Sequence, residues 1–558
     1  MTLTWDPPGK GDWHGLHDHF PRAVTPELHD LLADGMTTGG AVWCERYGLP
    51  VRSLLPGFVN GRVYITTAPL LGKPTNTVPP AVALKVAIAL VPAFRRRARA
   101  AARAVDERPW NDEAKAWFDQ GEPEWRSRNE ALQAVDPGAL DDAALIEHLQ
   151  VARATVGDGY RTHFALHGCD LVPTGMLLVR SLDWGLDPVA VAGLLAGWSA
   201  ASRGDESLPD WCLVTGYDFD GRCVIELPER LRHRDGHHAR RPVPQRDHAI
   251  EDAIRSTVPE GDRPEFDRLL ADARTTYGVR DTNGLLTAAW PAGLLRRAML
   301  EAGRRLAARG LLHDAEHAVE LRVTELADLL RRGAASPTST LSPTAATAAA
   351  PDGPTPTADE AAGRLAERLR LSVEPAPASL GPPQQLPLHA LPPAMRTLAS
   401  ALLGLRNLEM GATPALTTIS TTAVSTDAPA GSSDTGSEEP GSAQLRGGDL
   451  RGVGLWTAAG NPEKFMGKAC VTRDPVEALQ RFEPGDVIVT AGTCPAWNQI
   501  LALAGAVVTE DGGPLSHAAV IARELGLPAV IGCTGATAHI PDGATIELHI
   551  PTGTVTLV

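Results

Sequence analysis

A chain of 558 residues with 43% apolar and 21% charged side chains can bury several cores and has the composition of an ordinary soluble protein. Its formal net charge of -15 argues against nonspecific nucleic-acid binding and against attraction to anionic membranes. Seven cysteines, an odd number without a Cys-x-x-Cys pair, suggest neither a disulfide framework nor a zinc site and fit a reduced, cytoplasmic setting.

The N-terminus, Met1-Thr-Leu-Thr-Trp-Asp-Pro-Pro, has no apolar signal core. Residues 1–80 are turn-rich, with Gly61-Arg-Val-Tyr-Ile-Thr-Thr67 reading as one short strand. The most apolar run, Ala81 to Phe94, carries Lys85 and is too short to span a bilayer. It reads as a buried helix with a solvated basic end at Arg95-Arg-Arg97, in preference to an interfacial helix. No membrane attachment is expected.

From about residue 81 to 335 the pattern is mainly helical. Ala143 to Val156, Val189 to Ser202 and Gly293 to Arg309 each place apolar residues at three- and four-residue spacing. Cys212-Leu-Val-Thr-Gly216 and Arg222-Cys-Val-Ile-Glu-Leu227 are short β-like insertions. His233, His237 and His238, with His248 beyond, lie among arginines; the segment reads as a solvated loop rather than a metal-ligand set, with a phosphate contact left open.

Ala334 to Thr357 and Gly411 to Ser442 are rich in Ala, Pro, Ser and Thr and lack the apolar surface to offset the entropy of ordering. Between them, Ala358–Leu371 and Pro393–Leu408 read as helices that dock on the helical body. As a coil, the second stretch of about 32 residues has a root-mean-square span of roughly 30 Å, enough to let whatever follows move between stations.

The strongest local signal comes last. In Thr509-Glu-Asp-Gly-Gly-Pro-Leu-Ser-His-Ala-Ala-Val-Ile-Ala-Arg-Glu524, the end of a buried strand is followed by a glycine pair and an amphipathic helix. Gly512 and Gly513 permit a tight turn and Ser516 is a good N-cap. His517 therefore falls in the first helical turn, where free backbone N–H groups and the macrodipole favour an anion. A neutral imidazole there is a competent phosphoryl carrier. Nearby, Asn461 to Lys468 is P-loop-like only superficially, because six residues rather than four separate Gly460 and Gly467 and Ala469 replaces Ser or Thr.

Residues Thr509, Gly512, Gly513, Ser516, His517, Ala518, Ala519, Ala522, Arg523 and Glu524 resemble the phosphohistidine motif of the PEP-utilising enzymes. The likeness runs from Leu450-Arg-Gly-Val-Gly454 and Glu483-Pro-Gly-Asp-Val-Ile-Val489 through Gly526-Leu-Pro-Ala-Val-Ile-Gly532 and Pro541-Asp-Gly543. Thr493-Cys-Pro-Ala-Trp497 resembles the family's Thr-x-Pro-x-Trp segment, though a proline turn with an aromatic core anchor is the preferred reading. Looser similarity to rifampicin phosphotransferase-like chains covers roughly 1–335, including His19-Phe20-Pro21, Val59-Asn-Gly-Arg-Val-Tyr64 and Leu294 to Leu306.

The resemblance implies a multidomain chain: a mainly α-helical N-terminal body at 1–335 that binds an acceptor, linkers with one or two docking helices at 336–447, and a C-terminal α/β swivelling phosphohistidine domain at 448–558. His517 is the expected phosphoryl carrier, with Thr509, Gly512, Gly513 and Ser516 orienting the ring or the phosphate. Arg523 and Glu524 are expected to make either a structural salt bridge or a phosphate contact. No ATP-grasp segment is recognised, so ATP and Mg²⁺ are expected through a separately encoded ATP-grasp subunit, and no metal or cofactor on this chain. The acceptor is expected to be a hydroxylated small molecule, with no nucleic-acid partner. The competing expectations are a non-catalytic binding or regulatory protein that keeps the fold, and a self-sufficient enzyme using another phosphoryl donor.

Overall fold

The computed structural model describes residues 3–17, 19–198, 208–229, 248–334, 355–409, 450–455, 463–494, 497–513 and 516–558. The His233–His238 segment, residues 335–354 and residues 410–449 lie outside them.

Strands β1 (Trp13–Gly15), β2 (Val51–Val59), β3 (Arg62–Pro69) and β4 (Ser379–Leu380) form an antiparallel sheet in the order β2-β3-β1-β4. The single expected strand is one arm of a hairpin. Asn60 and Gly61 both take positive φ, 50° and 72°, the combination that closes a two-residue hairpin with the twist of its strands.

Helix α1 (Pro26–Arg46) packs along the body, and α2 (Ala81–Leu90) and α3 (Pro92–Glu107) separate at Val91-Pro92, where proline can begin a helix but not continue one. Helix α2 departs from the expected buried helix: only Leu84 is buried, while Val82, Val86 and Leu90 are 73%, 51% and 70% exposed. A run that is apolar all round carries no periodicity to reveal which narrow strip will be covered. Among the described residues, no helix is long and apolar enough to cross a membrane.

Helices α4 (Pro109–Ala116) and α5 (Glu122–Ala134) lead to α6 (Asp142–Asp183), 42 residues long and capped by Asp141, whose carboxylate accepts from Ala144 N. Periodicity marked only its first third, because glycines and Pro173 interrupt the pattern. Those glycines are contact points: a Cβ on Gly159 would lie 2.0 Å from the Thr287 carbonyl oxygen. Next come α7 (Pro188–Gly193), shorter than expected, then α8 (His248–Thr257), α9 (Arg263–Tyr277), α10 (Val279–Asn283), α11 (Trp290–Ala308) and α12 (Val323–Ala334). Between α10 and α11, Gly284–Ala289 widens into a π-helical turn, a feature common near functional sites. The two β-like insertions reduce to one bridge, Leu213 to Cys223.

The docking helices are α13 (Ala358–Val373) and α14 (Pro393–Glu409). Arg368 of α13 donates to both Glu320 carboxylate oxygens and to Asp220, and α14 buries Met395, Leu398 and Leu405 in the main core.

The C-terminal domain is an eight-stranded mixed sheet of β5 (Leu450–Arg451), β6 (Val453–Leu455), β7 (Lys464–Val471), β8 (Val487–Thr490), β9 (Ala506–Thr509), β10 (Ala529–Ile531), β11 (Thr545–His549) and β12 (Thr554–Leu557). Its order is β5-β12-β11-β7-β8-β9-β10-β6, parallel from β7 through β10. Strands β5 and β6 are one residue apart in the chain yet stand at opposite ends of that order, so the sheet curls until its edges meet. The closure is tight: a Cβ on Gly454 would lie 1.7 Å from the Ile550 carbonyl oxygen. Helices α15 (Pro475–Arg481), α16 (Asn498–Leu503), α17 (His517–Leu525) and α18 (Ala536–His539) complete the domain. The core on the α17 side also takes in Val214 and Leu227 of the helical body, so the two domains share apolar packing with Ala518 and Ile521.

Candidate functional site

Strand β9 ends at Thr509, and the chain turns sharply at Gly512, which takes φ 100° and where a Cβ would meet Ser516 Cβ at 2.7 Å. Ser516 caps α17, its hydroxyl accepting from Ala519 N at 3.4 Å, and Gly526 at φ 60° ends the helix. His517 is therefore fixed as the first residue of α17. Its Nδ1 lies 2.9 Å from the hydroxyl of Thr493, on the loop after β8. Its Nε2 is buried and has no hydrogen-bond partner among the described residues.

This asymmetry matters chemically. When Nδ1–H donates to Thr493 Oγ1, the lone pair lies on Nε2, the form that attacks phosphorus; the reverse direction would leave Nε2 protonated. Burial, then the positive charges of Arg280 and His19, hold the imidazole well below its usual pKa and therefore neutral.

Two groups of the helical body, His19 and Arg280, bear on His517, and further ionisable groups surround Arg280. His19 lies between β1 and α1 and stacks on Tyr217, centroids 6.3 Å apart. His163, His167 and Asp170 occupy one face of α6 at i, i+4 and i+7. Arg280 and Asp281 lie on the short α10. Burial pushes His163 well down and His167 to about 4, so both rings are neutral. Burial also pushes Asp170 and Asp281 up to about 6, with Arg280 opposing the shift in each. Arg280 is thus a permanent positive charge beside two neutral imidazoles and two carboxyl groups whose pKa burial has raised.

Residues 482–553 match the family described as PEP-utilising enzyme, mobile domain. The matched segment lies within the C-terminal domain and contains His517. Phosphoenolpyruvate synthase of Escherichia coli (strain K12) is 47% identical over 78 residues, 14% of this chain and 10% of that protein. Rifampicin phosphotransferase of Streptomyces sviceus is 44% identical over 97 residues, 17% and 11% of the two chains. Chondramide synthase of Chondromyces crocatus is 44% identical over 106 residues, 19% of this chain and 3% of that protein. The chain therefore covers between 3% and 11% of the length of these relatives.

Within the mobile domain the expected site residues divide by location. Ser516 and Gly512 shape the turn that presents His517, and Gly513 is buried in the same turn. The Thr509 hydroxyl donates instead to the Asp511 carbonyl at 2.8 Å, holding the strand end rather than the ring. Arg523 and Glu524 face the body: Glu524 Oε2 accepts from Gly197 N at 3.1 Å, and both charges bear on Tyr277 of α9. A second link is Arg22 of the body, 3.4 Å from Asp220 and 3.9 Å from Asp474, the residue that caps α15.

Thr493 was passed over as part of a proline turn, although the Thr-x-Pro-x-Trp likeness pointed to it. The His163, His167, Asp170 spacing stood in the sequence as a helical face. Among the described residues, no group of three or more His, Cys, Asp or Glu converges as a metal-ligand set.

Proposed function

We propose that this chain is a phosphotransferase component in which His517 takes a phosphoryl group from a separately encoded ATP-grasp partner using ATP and Mg²⁺, and passes it to a hydroxylated small molecule bound by the helical body. The observation that carries the reading is the state of the imidazole: Nδ1 held by Thr493, and Nε2 buried with no hydrogen-bond partner among the described residues. The names of the relatives, a synthase of phosphoenolpyruvate and a phosphotransferase of rifampicin, support the reaction class.

In the first step the Nε2 lone pair attacks phosphorus and the nucleotide oxygen leaves. In the second, the acceptor oxygen attacks, the P–N bond breaks and its electron pair returns to Nε2. Such transfers rest chiefly on positioning and on balancing negative charge, for which Arg280 is placed. All seven cysteines are buried and none is disulfide-bonded, which suits a reducing, cytoplasmic setting.

The test is to incubate the full chain with a candidate ATP-grasp partner and ATP labelled at the β- or γ-phosphate. An acid-labile label on wild type and none on His517→Ala is expected. Equal labelling of both proteins, or no label on wild type, rules the reading out.

A further inference from the structure

From Ala81 to Val105 the chain carries Lys85, Arg95, Arg96, Arg97, Arg99 and Arg103 and no acidic residue, within a protein whose net charge is -15. This stretch is α2 and most of α3. Helix α2 rests on the body by a narrow strip, with Leu84 buried and Ala81 and Ile88 half-buried against the main core. Its opposite face is apolar and open to solvent. Val82, Val86 and Leu90, at four-residue spacing, form one ridge, and Ala83 and Ala89 are exposed beside it. Helix α3 buries Arg97, Ala101 and Ala104 and leaves Arg95, Arg96, Arg99 and Arg103 exposed. None of these four arginines, nor Lys85, pairs with a carboxylate among the described residues. Apolar residues scattered singly over a surface need no explanation, but three on one helix face beside an unpaired basic stripe mark an interaction site.

We propose that the outer faces of α2 and α3 dock on an anionic lipid bilayer. Helix α2, ten residues long, lies in the interface rather than across it, with Val82, Val86 and Leu90 entering the acyl boundary. Arg95 and Arg96 follow in the first turn of α3, and with Arg99 and Arg103 they contact headgroup phosphates. Their long aliphatic stems let the guanidinium groups reach the headgroups while the stems cover apolar surface.

Charge and shape both select this occupant. The surface is apolar and basic, so what covers it is apolar and acidic. The ridge on α2 is the convex side of a single helix, for which a protein partner must supply a matching groove, whereas a bilayer deforms around it. The net charge of the whole chain does not forbid the approach. At physiological ionic strength, charges more than about 8 Å from the lipid surface are largely screened, while the arginines of α3 act in contact with it. The exposure of α2 thus favours the interfacial helix over the buried one that the sequence suggested.

Flotation of the full chain with lipid vesicles tests the proposal, using phosphatidylcholine alone and equal parts of phosphatidylcholine and phosphatidylglycerol. Wild type is expected to bind the mixed vesicles at least about tenfold more tightly, with high salt removing the difference. Arg95→Gln, Arg96→Gln, Arg99→Gln and Arg103→Gln combined are expected to weaken that binding at least about a hundredfold, each basic residue near an anionic surface being worth about fivefold. Val82→Glu with Leu90→Glu is expected to lose binding to either vesicle. All six positions are exposed, so both variants are expected to unfold at the wild-type temperature. Should one of them misfold, the preference of wild type and its salt dependence still decide. Equal or no binding of wild type to the two vesicles, or binding that a folded variant leaves unchanged, overturns the proposal. So does self-association, or binding to an ATP-grasp partner, that the same variants abolish while vesicles are ignored; the face then belongs to a second copy or to that protein.

Discussion

The hydroxyl of Thr493 lies 2.9 Å from His517 Nδ1, so the loop after β8 holds the ring of a residue 24 positions later at the start of α17. Removing it leaves the ring free to rotate and to carry its proton on either nitrogen. Thr493→Ala is expected to slow phosphorylation of His517 up to about tenfold, the worth of one neutral hydrogen bond. Thr493→Ser, which keeps the hydroxyl, is expected to stay near wild type. Initial rates of acid-labile labelling decide this, and equal rates for the Ala and Ser variants would remove Thr493 from the mechanism.

The mobile domain meets the body through an ionised acceptor: Glu524 Oε2 takes the Gly197 N–H at 3.1 Å, with Glu524 itself only 2% exposed. Hydrogen bonds to charged groups are worth about 1.5–3 kcal/mol, against about 1 kcal/mol or less for a long, partly exposed ion pair such as Arg22–Asp474. Glu524→Ala is therefore expected to shift the domains from docked towards undocked by roughly ten- to a hundredfold, and Arg22→Ala by less than about fivefold. Small-angle scattering and amide exchange at residues 193–198 read the difference; a larger effect from Arg22→Ala would reverse the assignment.

How far the sequence could be read depended on whether the interactions were local. The turn from Thr509 to His517 was legible because glycine conformation, the Ser516 cap and the helix start all act within a few residues. The helices α13 and α14 were legible for the same reason. The hairpin β2–β3 was missed although Asn60-Gly61 marked it, and α2 was placed in the core because an evenly apolar run has no direction. The body half of the site was not legible. His19, His163 and Arg280 are brought together only by the path of a 42-residue helix and the packing of α10 beside it.

That path has a checkable constraint one turn before His163. A Cβ on Gly159 would lie 2.0 Å from the Thr287 carbonyl oxygen in the π-helical turn, whereas a Cβ on Gly157 meets only Leu31 Cδ2 at 3.5 Å. Gly159→Ala is expected to cost roughly 3 kcal/mol through overpacking. Gly157→Ala is expected to be neutral or stabilising by up to about 1 kcal/mol from helix propensity. Denaturant midpoints of the full chain test both, and comparable values for the two variants would deny that α6 is seated against the π-helical turn.

Docking and proton binding at His517 oppose each other. In the docked state burial, Arg280 and His19 hold the imidazole well below 6.5, while an exposed histidine titrates near 6.5. The lowered pKa belongs to the docked form, so its contribution to docking is fully present above about pH 7 and is lost as pH falls through the undocked value. The docked-to-undocked ratio is expected to drop up to tenfold per pH unit below about 6.5, levelling off only at the docked pKa. Asp170 and Asp281, raised to about 6, have the opposite sign, since their neutral forms are favoured in the docked structure and lose that advantage as pH rises towards 6. The comparison that isolates His517 is therefore the difference between wild type and His517→Asn, followed by scattering between pH 8 and pH 5.5. A wild-type curve parallel to that of His517→Asn would mean that the ring is not desolvated by docking. A growing gap below pH 6.5 means that the neutral, nucleophilic imidazole is the form the helical body selects.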